Sequence, residues 1–227
     1  MEIVTHHGKS LTSLIIYPDG YDASKKYPAI FLLHGFGANM GDLATLAPEI
    51  SPTGYVYLFP NAPVPMRMNG EVAGFSWGPP REQATPETRR ETRDVLNAWI
   101  DEMFGAVPSI APGNAVLLGF SQGGGMAYRC GLPRPETFKG VVALSAATPD
   151  MNELEECLPA KRSQELFLTV GEWDRPGMVD KVPLAQEFLK KAGYPLFYRK
   201  YAMGHEISPD VIADLQSWLR TVLPPVS

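Results

Sequence analysis

Short apolar runs alternate with amphipathic stretches from one end of this 227-residue chain to the other. The apolar runs have the length of strands that are buried on both faces of a sheet. Such alternation is typical of βα units around a mostly parallel sheet. It predicts strands at residues 12–17, 29–33, 55–59, 115–118, 141–144, 166–170 and 196–201, with 2–7 as a further edge strand.

The stretches between these runs repeat their apolar residues every three or four positions, which is the spacing of one helix face. They predict helices at residues 86–103, 124–130, 182–192 and 211–222. The chain has no repeat, low-complexity tract or long charge block that would mark a boundary. Residues 1–227 are therefore predicted to form a single domain, and a chain of this length can bury roughly 70% of its unfolded surface.

The segment 60–83 interrupts the alternation with five prolines and the turn-forming pair Asn69-Gly70. Prolines and an Asn-Gly pair predict a long irregular loop. A loop of this length often contributes to function, and its apolar side chains are expected to border a substrate site; they are Met66, Met68, Phe75 and Trp77. The alternative is a surface loop whose apolar residues simply pack on the core.

Charge and cysteine content exclude several classes of protein. The 20 Lys and Arg residues against 25 Asp and Glu leave a net charge of −5, which makes nucleic acid an unexpected partner. Cys130 and Cys157 are too few for a disulfide scaffold or a cysteine-ligated zinc site. They are expected to be free thiols, and a bond between them stays open. No metal or organic cofactor is expected.

Apolar runs in the chain are too short for a signal peptide or a membrane-spanning helix. The chain is therefore expected to be cytoplasmic and without integral membrane association, although a signal removed earlier would leave no trace. The sequence leaves the oligomeric state open between a monomer and a homodimer.

The pentapeptide Gly119-Phe120-Ser121-Gln122-Gly123 lies between a predicted strand and a predicted helix. Strand, tight turn and helix are the context in which a GxSxG motif exposes a nucleophilic serine. A Cβ at either outer glycine is expected to crowd the neighbouring strand and helix. The sequence therefore predicts Ser121 as a nucleophile.

A serine hydroxyl becomes a useful nucleophile at neutral pH when a base removes its proton. Of the four histidines, His6 and His7 lie in or beside the candidate edge strand. His34 follows a strand, where its imidazole is expected to brace a loop. His205 lies after the last predicted strand and before the last helix, so it is the predicted base.

The acid that orients the histidine is expected at another strand end, between the serine and the histidine in chain order. Asp174 follows the strand at 166–170 and would reach the same edge of the sheet. It would hold the tautomer of His205 and stabilise the imidazolium without taking the proton. Glu172 and Asp180 are the competing acids.

The oxyanion of a tetrahedral intermediate is usually stabilised by two backbone N–H groups. One belongs to the residue after the nucleophile and the other to a loop after an early strand. Gln122 and Phe36 occupy these places, and the segment His34-Gly35-Phe36-Gly37 supplies glycines that allow close approach. A plain turn is the alternative reading of that segment.

These motifs, together with Gly204-His205-Glu206-Ile207-Ser208-Pro209, resemble the phospholipase/carboxylesterase family, which includes bacterial carboxylesterases and acyl-protein thioesterases. The resemblance runs from about residue 14 to 223. It implies an α/β-hydrolase fold with a mostly parallel sheet of about seven or eight strands and helices on both faces. It also implies Ser121, Asp174 and His205 as a triad. Phe75-Ser76-Trp77-Gly78 lacks an acid that family members often have, so substrate specificity does not follow.

The expected function is that of a serine carboxylesterase acting on short- to medium-chain or aryl esters, a small-molecule substrate. The segment 145–165 is too short for a large cap domain, so an open site is expected. An acyl thioesterase or lysophospholipase is the alternative enzyme. A ligand-binding protein without catalysis is the alternative outside the enzymes.

Overall fold

The computed structural model describes residues 1–226. Its strands are β1 (Glu2–His7), β2 (Thr12–Tyr17), β3 (Ala29–Leu33), β4 (Val56–Pro60), β5 (Val64–Met68), β6 (Glu71–Ser76), β7 (Ala115–Phe120), β8 (Gly140–Leu144), β9 (Glu165–Gly171) and β10 (Leu196–Tyr201). Its helices are α1 (Leu46–Ile50), α2 (Pro86–Ala106), α3 (Gln122–Gly131), α4 (Met151–Glu156), α5 (Pro176–Lys191) and α6 (Pro209–Val222).

Eight strands form one sheet in the order β1-β2-β4-β3-β7-β8-β9-β10. β1 and β2 pair antiparallel, and β2 pairs antiparallel with β4. From β4 to β10 every neighbouring pair is parallel. The predicted mostly parallel sheet is therefore confirmed, including its edge strand.

The core lies on both faces of this sheet, because alternate residues of each central strand point to opposite sides. In β3, Phe31 belongs to one buried cluster and Ile30 to the other. Apolar residues of α2, α3 and α5 pack in the first cluster. Those of α1 and α6 pack in the second. The helices thus cover both faces, as predicted for an α/β fold of this class.

The segment 60–83 is not an irregular loop, which corrects the sequence prediction. Residues 64–76 form an antiparallel hairpin of β5 and β6, and a 3-10 helix follows at Arg81–Gln83. Asn69 and Gly70 have φ angles of 52° and 87°, the left-handed conformation that a tight hairpin turn requires. Pro65 lies in a two-stranded ribbon, where an edge strand tolerates a missing N–H.

Three helices differ from the sequence prediction. α5 begins at Pro176 rather than at 182, and Pro183 lies inside it. A proline inside a helix removes one backbone hydrogen bond, so the position of Pro183 in the interior of α5 is unusual. The short helices α1 and α4 were not predicted, because five or six residues give too little periodicity to recognise.

The connection between β8 and β9 contains α4 and no other helix. In the described part of the chain, no helix is both long and apolar enough to cross a membrane. The carboxyl ends of β3, β7, β9 and β10 meet at one edge of the sheet, which is where ligands bind in open α/β folds.

Candidate active site

Ser121 lies in a strained turn between β7 and α3. Its φ of 53° and ψ of −115° are outside the regions that residues with a Cβ usually adopt. The turn is fixed by two backbone hydrogen bonds. Ser121 N–H donates to Leu144 O at 3.0 Å, and Ala147 N–H donates to Ser121 O at 2.8 Å. The strain is therefore held by the end of the neighbouring strand β8.

The glycines on either side of Ser121 are required by close backbone contacts. A Cβ at Gly119 would lie 2.1 Å from Gly123 O, and one at Gly123 would lie 2.2 Å from Leu33 O. Both distances are far inside van der Waals contact with backbone atoms, which cannot rotate away. The expectation that side chains here would crowd the neighbouring strand and helix is confirmed.

Ser121, His205 and Asp174 form one hydrogen-bonded row. Ser121 Oγ lies 2.8 Å from His205 Nε2, and His205 Nδ1 lies 2.8 Å and 3.1 Å from the two Asp174 oxygens. A carboxylate only accepts, so His205 Nδ1 carries the proton and Nε2 is left to accept from the Ser121 hydroxyl. The Phe120 ring packs 4.9 Å from the imidazole centroid and restricts its rotation.

Asp174 is buried, and its side chain is fully covered. Besides His205, the carboxylate accepts from Arg175 N–H at 2.6 Å, which fixes its orientation. The competing acids Glu172 and Asp180 are both exposed. The structure therefore places Asp174, the acid preferred in the sequence prediction, against His205, whereas its two competitors are exposed to solvent.

The remaining histidines lie outside this row. His7 is exposed on β1, and His6 contacts Glu102 at 3.4 Å. His34 is 1% exposed at the end of β3; its Nδ1 donates to Gly35 O at 2.7 Å, and its Nε2 accepts from Ala62 N–H at 3.1 Å. Burial lowers the pKa of His34, so the imidazole is neutral in the fold.

The buried, neutral imidazole of His34 predicts that the stability of the fold falls in acid. The folded chain resists protonating His34, whereas in the unfolded chain it titrates near 6.5. Stability from the neutral ring is complete above about pH 6.5 and is lost as pH falls, by at most about 1.4 kcal/mol per pH unit. Urea unfolding at pH 7, 6 and 5 should show this decline, and it should be weaker in His34→Gln. An equal decline in both proteins would remove His34 as its source.

The two predicted oxyanion donors each follow a residue at the serine: Gln122 follows Ser121 itself, and Phe36 follows Gly35, where an added Cβ would lie 3.4 Å from Ser121 Cβ. Phe36 lies in the loop after β3, and Gln122 is the first residue of α3. Among residues 1–226, neither backbone N–H has a hydrogen-bond acceptor. The amino end of α3 also favours negative charge, because its first N–H groups point outward from the helix. The geometry thus suits an anion beside Ser121.

The four predicted substrate residues divide between the surface and the core. Met68 is 66% exposed near the hairpin turn, and Met66 and Phe75 are partly buried. Phe75 packs against the core cluster. Trp77 is only 2% exposed, and its Nε1–H donates to His34 O at 2.8 Å. Trp77 is therefore a core residue that packs under the backbone of His34. This corrects the prediction that the Trp77 side chain borders a substrate site.

Trp77→Ala is consequently expected to lower the free energy of unfolding by about 3–5 kcal/mol, because it leaves a large cavity and an unpaired His34 carbonyl. Met68→Ala, on the exposed hairpin, is the control and should change stability by less than about 0.5 kcal/mol. Urea denaturation of both variants measures the difference. A Trp77→Ala protein as stable as Met68→Ala would contradict the burial.

Both cysteines line a groove of about 660 Å³ between α2, α3 and α4, beside the ion pair of Arg129 and Glu153. Both are free. Burial raises the pKa of Cys130 to about 12 and that of Cys157 to about 11, so both thiols are protonated at neutral pH. A protonated thiol is a poor nucleophile.

Within residues 1–226, no three His, Cys, Asp or Glu side chains are grouped to hold a metal ion.

Similarity to known proteins extends over most of the chain. A family profile described as phospholipase/carboxylesterase matches residues 21–223. Acyl-protein thioesterase 1 of Aspergillus fumigatus is 28% identical over 227 aligned residues, covering 89% of this chain and 91% of that protein. A "probable carboxylesterase" of Oryza sativa subsp. japonica is also 28% identical, covering 88% of this chain and 91% of the relative.

The fold is also found among solved structures. A carboxylesterase from Mesorhizobium loti superimposes with a TM-score of 0.77 at 18% identity, covering 96% of this chain and 99% of that one. At this level of identity the superposition supports the fold alone.

Proposed function

Because the chain belongs to the phospholipase/carboxylesterase family, we propose that it is a serine hydrolase that cleaves carboxylic esters through an acyl intermediate on Ser121. The observation that carries this proposal is the hydrogen-bonded row from Ser121 Oγ through His205 to Asp174. Its distances are those of a nucleophile, a base and an orienting acid.

In the first half of the reaction, Ser121 Oγ attacks the ester carbonyl while His205 Nε2 takes the hydroxyl proton. The Phe36 and Gln122 N–H groups donate to the oxyanion that forms on the carbonyl oxygen. The intermediate collapses by breaking the bond to the alcohol oxygen, and His205 gives its proton to the departing alcohol. The acyl group remains as an ester of Ser121.

In the second half, His205 takes a proton from water as the water oxygen attacks the acyl carbon. The bond to Ser121 Oγ then breaks, and the proton on His205 returns to that oxygen. A carboxylic acid leaves. Asp174 keeps its charge throughout and stabilises the imidazolium formed twice in each cycle.

We further propose short- to medium-chain or aryl esters as substrates. Support comes from the short β8–β9 connection, whose one short helix α4 is too small to form a large cap, and from Phe36, an apolar residue of the predicted oxyanion loop that is 62% exposed. An open apolar surface covers a small acyl group better than a long chain. The alternative is an acyl thioesterase, because a relative with this name aligns over 89% of the chain and the same row of residues would attack a thioester.

A substrate panel tests these alternatives. Purified protein is assayed with p-nitrophenyl esters of increasing acyl length and with acyl thioesters matched to them in length. Ser121→Ala subtracts any hydrolysis that does not use the site. We expect kcat/KM to peak at roughly two to eight acyl carbons, since an open cleft encloses little of a longer chain. A peak at palmitoyl thioesters would replace the esterase proposal by the alternative.

A further inference from the structure

The hairpin β5–β6 pairs with the oxyanion loop, defined here as residues 34–38. Gly37 N–H donates to Phe75 O at 2.9 Å, and Phe75 N–H donates to Ala38 O at 2.8 Å. Both bonds are made by the backbone of Phe75 in β6, although residues 34–38 form no strand. The loop that carries the Phe36 N–H is therefore attached to β6 along its backbone.

Gly74 brings these two backbones unusually close. A Cβ at this position would lie 2.0 Å from Gly37 O and 2.6 Å from Gly37 C. Its backbone does not require the left-handed conformation, since Gly74 is absent from the positive-φ glycines of the described residues. The glycine is needed because any side chain would push β6 and the oxyanion loop apart.

The end of β6 and the residue after it are hydrogen-bonded to Gln122, the other predicted donor. Trp77 N–H donates to Gln122 Oε1 at 3.0 Å, and Gln122 Nε2 donates to Ser76 Oγ at 3.1 Å. Trp77 also holds the oxyanion loop through its indole bond to His34 O. A single segment, residues 74–77, thus contacts the segments of both predicted donors.

We propose that this hairpin is a clamp that sets the separation between the Phe36 and Gln122 N–H groups. Gly74 and the side-chain amide of Gln122 are its positioning residues. The inference rests on the proposed function, because a fixed separation matters only if an oxyanion forms between the two donors. In this account the amide side chain of Gln122 holds the hairpin, while its backbone N–H faces the oxyanion.

The clamp acts on the transition state more than on the bound substrate. Donors of an oxyanion hole work at about 2.7–3.1 Å from the developing charge. Carbon and carbonyl oxygen need about 3.3 Å between them, so a Cβ at Gly74 would displace Gly37 by about 1.3 Å. A misplacement of about 1 Å can cost on the order of 10²-fold in rate.

The experiment compares Gly74→Ala with Gly78→Ala, the matched control. A Cβ at Gly78 has no neighbour within 4 Å, and Gly78 follows the same hairpin. For Gly74→Ala we expect kcat to fall about 10- to 100-fold with KM within about twofold, as for a contact made in the transition state. An alkyl boronic acid forms a tetrahedral adduct with the serine, so the affinity of Gly74→Ala for this inhibitor should fall by the same factor as kcat. Gly78→Ala should match the wild type.

Acyl length separates a clamp from a substrate-binding role. A clamp acts on the carbonyl oxygen, so acetate and octanoate esters should lose the same factor in Gly74→Ala. Unequal factors, a raised KM with unchanged kcat, or wild-type rates would overturn the proposal. If Gly74→Ala does not fold, Gln122→Met keeps the backbone N–H and removes the bonds to Ser76 and Trp77. It should lower kcat about 10-fold, equally for both esters, and an unchanged kcat would overturn the clamp.

The outcome is distinguishable from failure of the proposed function. A wild-type protein without activity, or a Ser121→Ala variant with wild-type rates, would contradict both the esterase proposal and the clamp. A wild-type protein that needs Ser121 for activity but tolerates Gly74→Ala and Gln122→Met would contradict the clamp alone.

Discussion

Replacing Ser121 by Ala is expected to lower kcat by roughly 10⁴- to 10⁶-fold, because the variant has no atom that can hold the acyl group. His205→Ala should lose a similar factor, since Ser121 Oγ then has no base within hydrogen-bond distance among the described residues. Members of such a row act as a unit, so the double variant should be little worse than either single variant.

Steady-state kinetics on a short p-nitrophenyl ester measure these losses. His7→Ala is the control for the histidine, because His7 is exposed on β1 and should be dispensable. Circular dichroism should show that all variants keep the fold. Small and equal losses in Ser121→Ala and His205→Ala would remove both residues from the reaction.

The second large effect is expected at Asp174. An Asn side chain has nearly the same shape, but its NH₂ or its carbonyl can face His205 Nδ1, and the negative charge is gone. The imidazole would adopt the wrong tautomer in part, and its protonated form would lose its stabilising charge. We expect Asp174→Asn to lower kcat by roughly 10³- to 10⁴-fold, a smaller loss than that at Ser121.

Two neighbouring acids provide matched controls for Asp174. Glu172→Gln and Asp180→Asn remove the same charge from two exposed positions, the first directly after β9 and the second in α5. Both should stay within about twofold of wild type, as exposed charges contribute little. A harmless Asp174→Asn beside a damaging Glu172→Gln or Asp180→Asn would transfer the role of the acid.

Much of the fold follows from local sequence because the central strands are buried on both faces. β3 has five residues, all buried, so its apolar run and its strand coincide. The positions of Ser121, Asp174 and His205 were predictable for a related reason. Each lies within about four residues of the end of a strand, and parallel strands end at the same edge of the sheet.

The role of residues 60–83 was not predictable, because it depends on contacts between distant segments. Prolines near a turn do not indicate whether the flanking residues pair with each other. Nothing local shows that Gly74 lies against Gly37 or that Trp77 is covered by the His34 loop. The place of Trp77 in a predicted loop is compatible both with a substrate surface and with packing on the core, and only the folded chain distinguishes the two. The side-chain amide of Gln122 bonds to Ser76 and Trp77, which are distant in sequence. The sequence therefore predicts a role for the backbone N–H of Gln122 and none for its side chain.

Labelling with a fluorophosphonate tests the central proposal most directly, because the probe reacts far faster with a serine that a neighbouring base has activated than with an ordinary serine. The intact mass of the folded wild-type protein should increase by one phosphonyl group per chain, located by peptide mapping on Ser121. Ser121→Ala should gain none, and His205→Ala should react far more slowly. A folded wild type that stays unlabelled, or a Ser121→Ala protein labelled as fast as wild type, would contradict the serine hydrolase proposal.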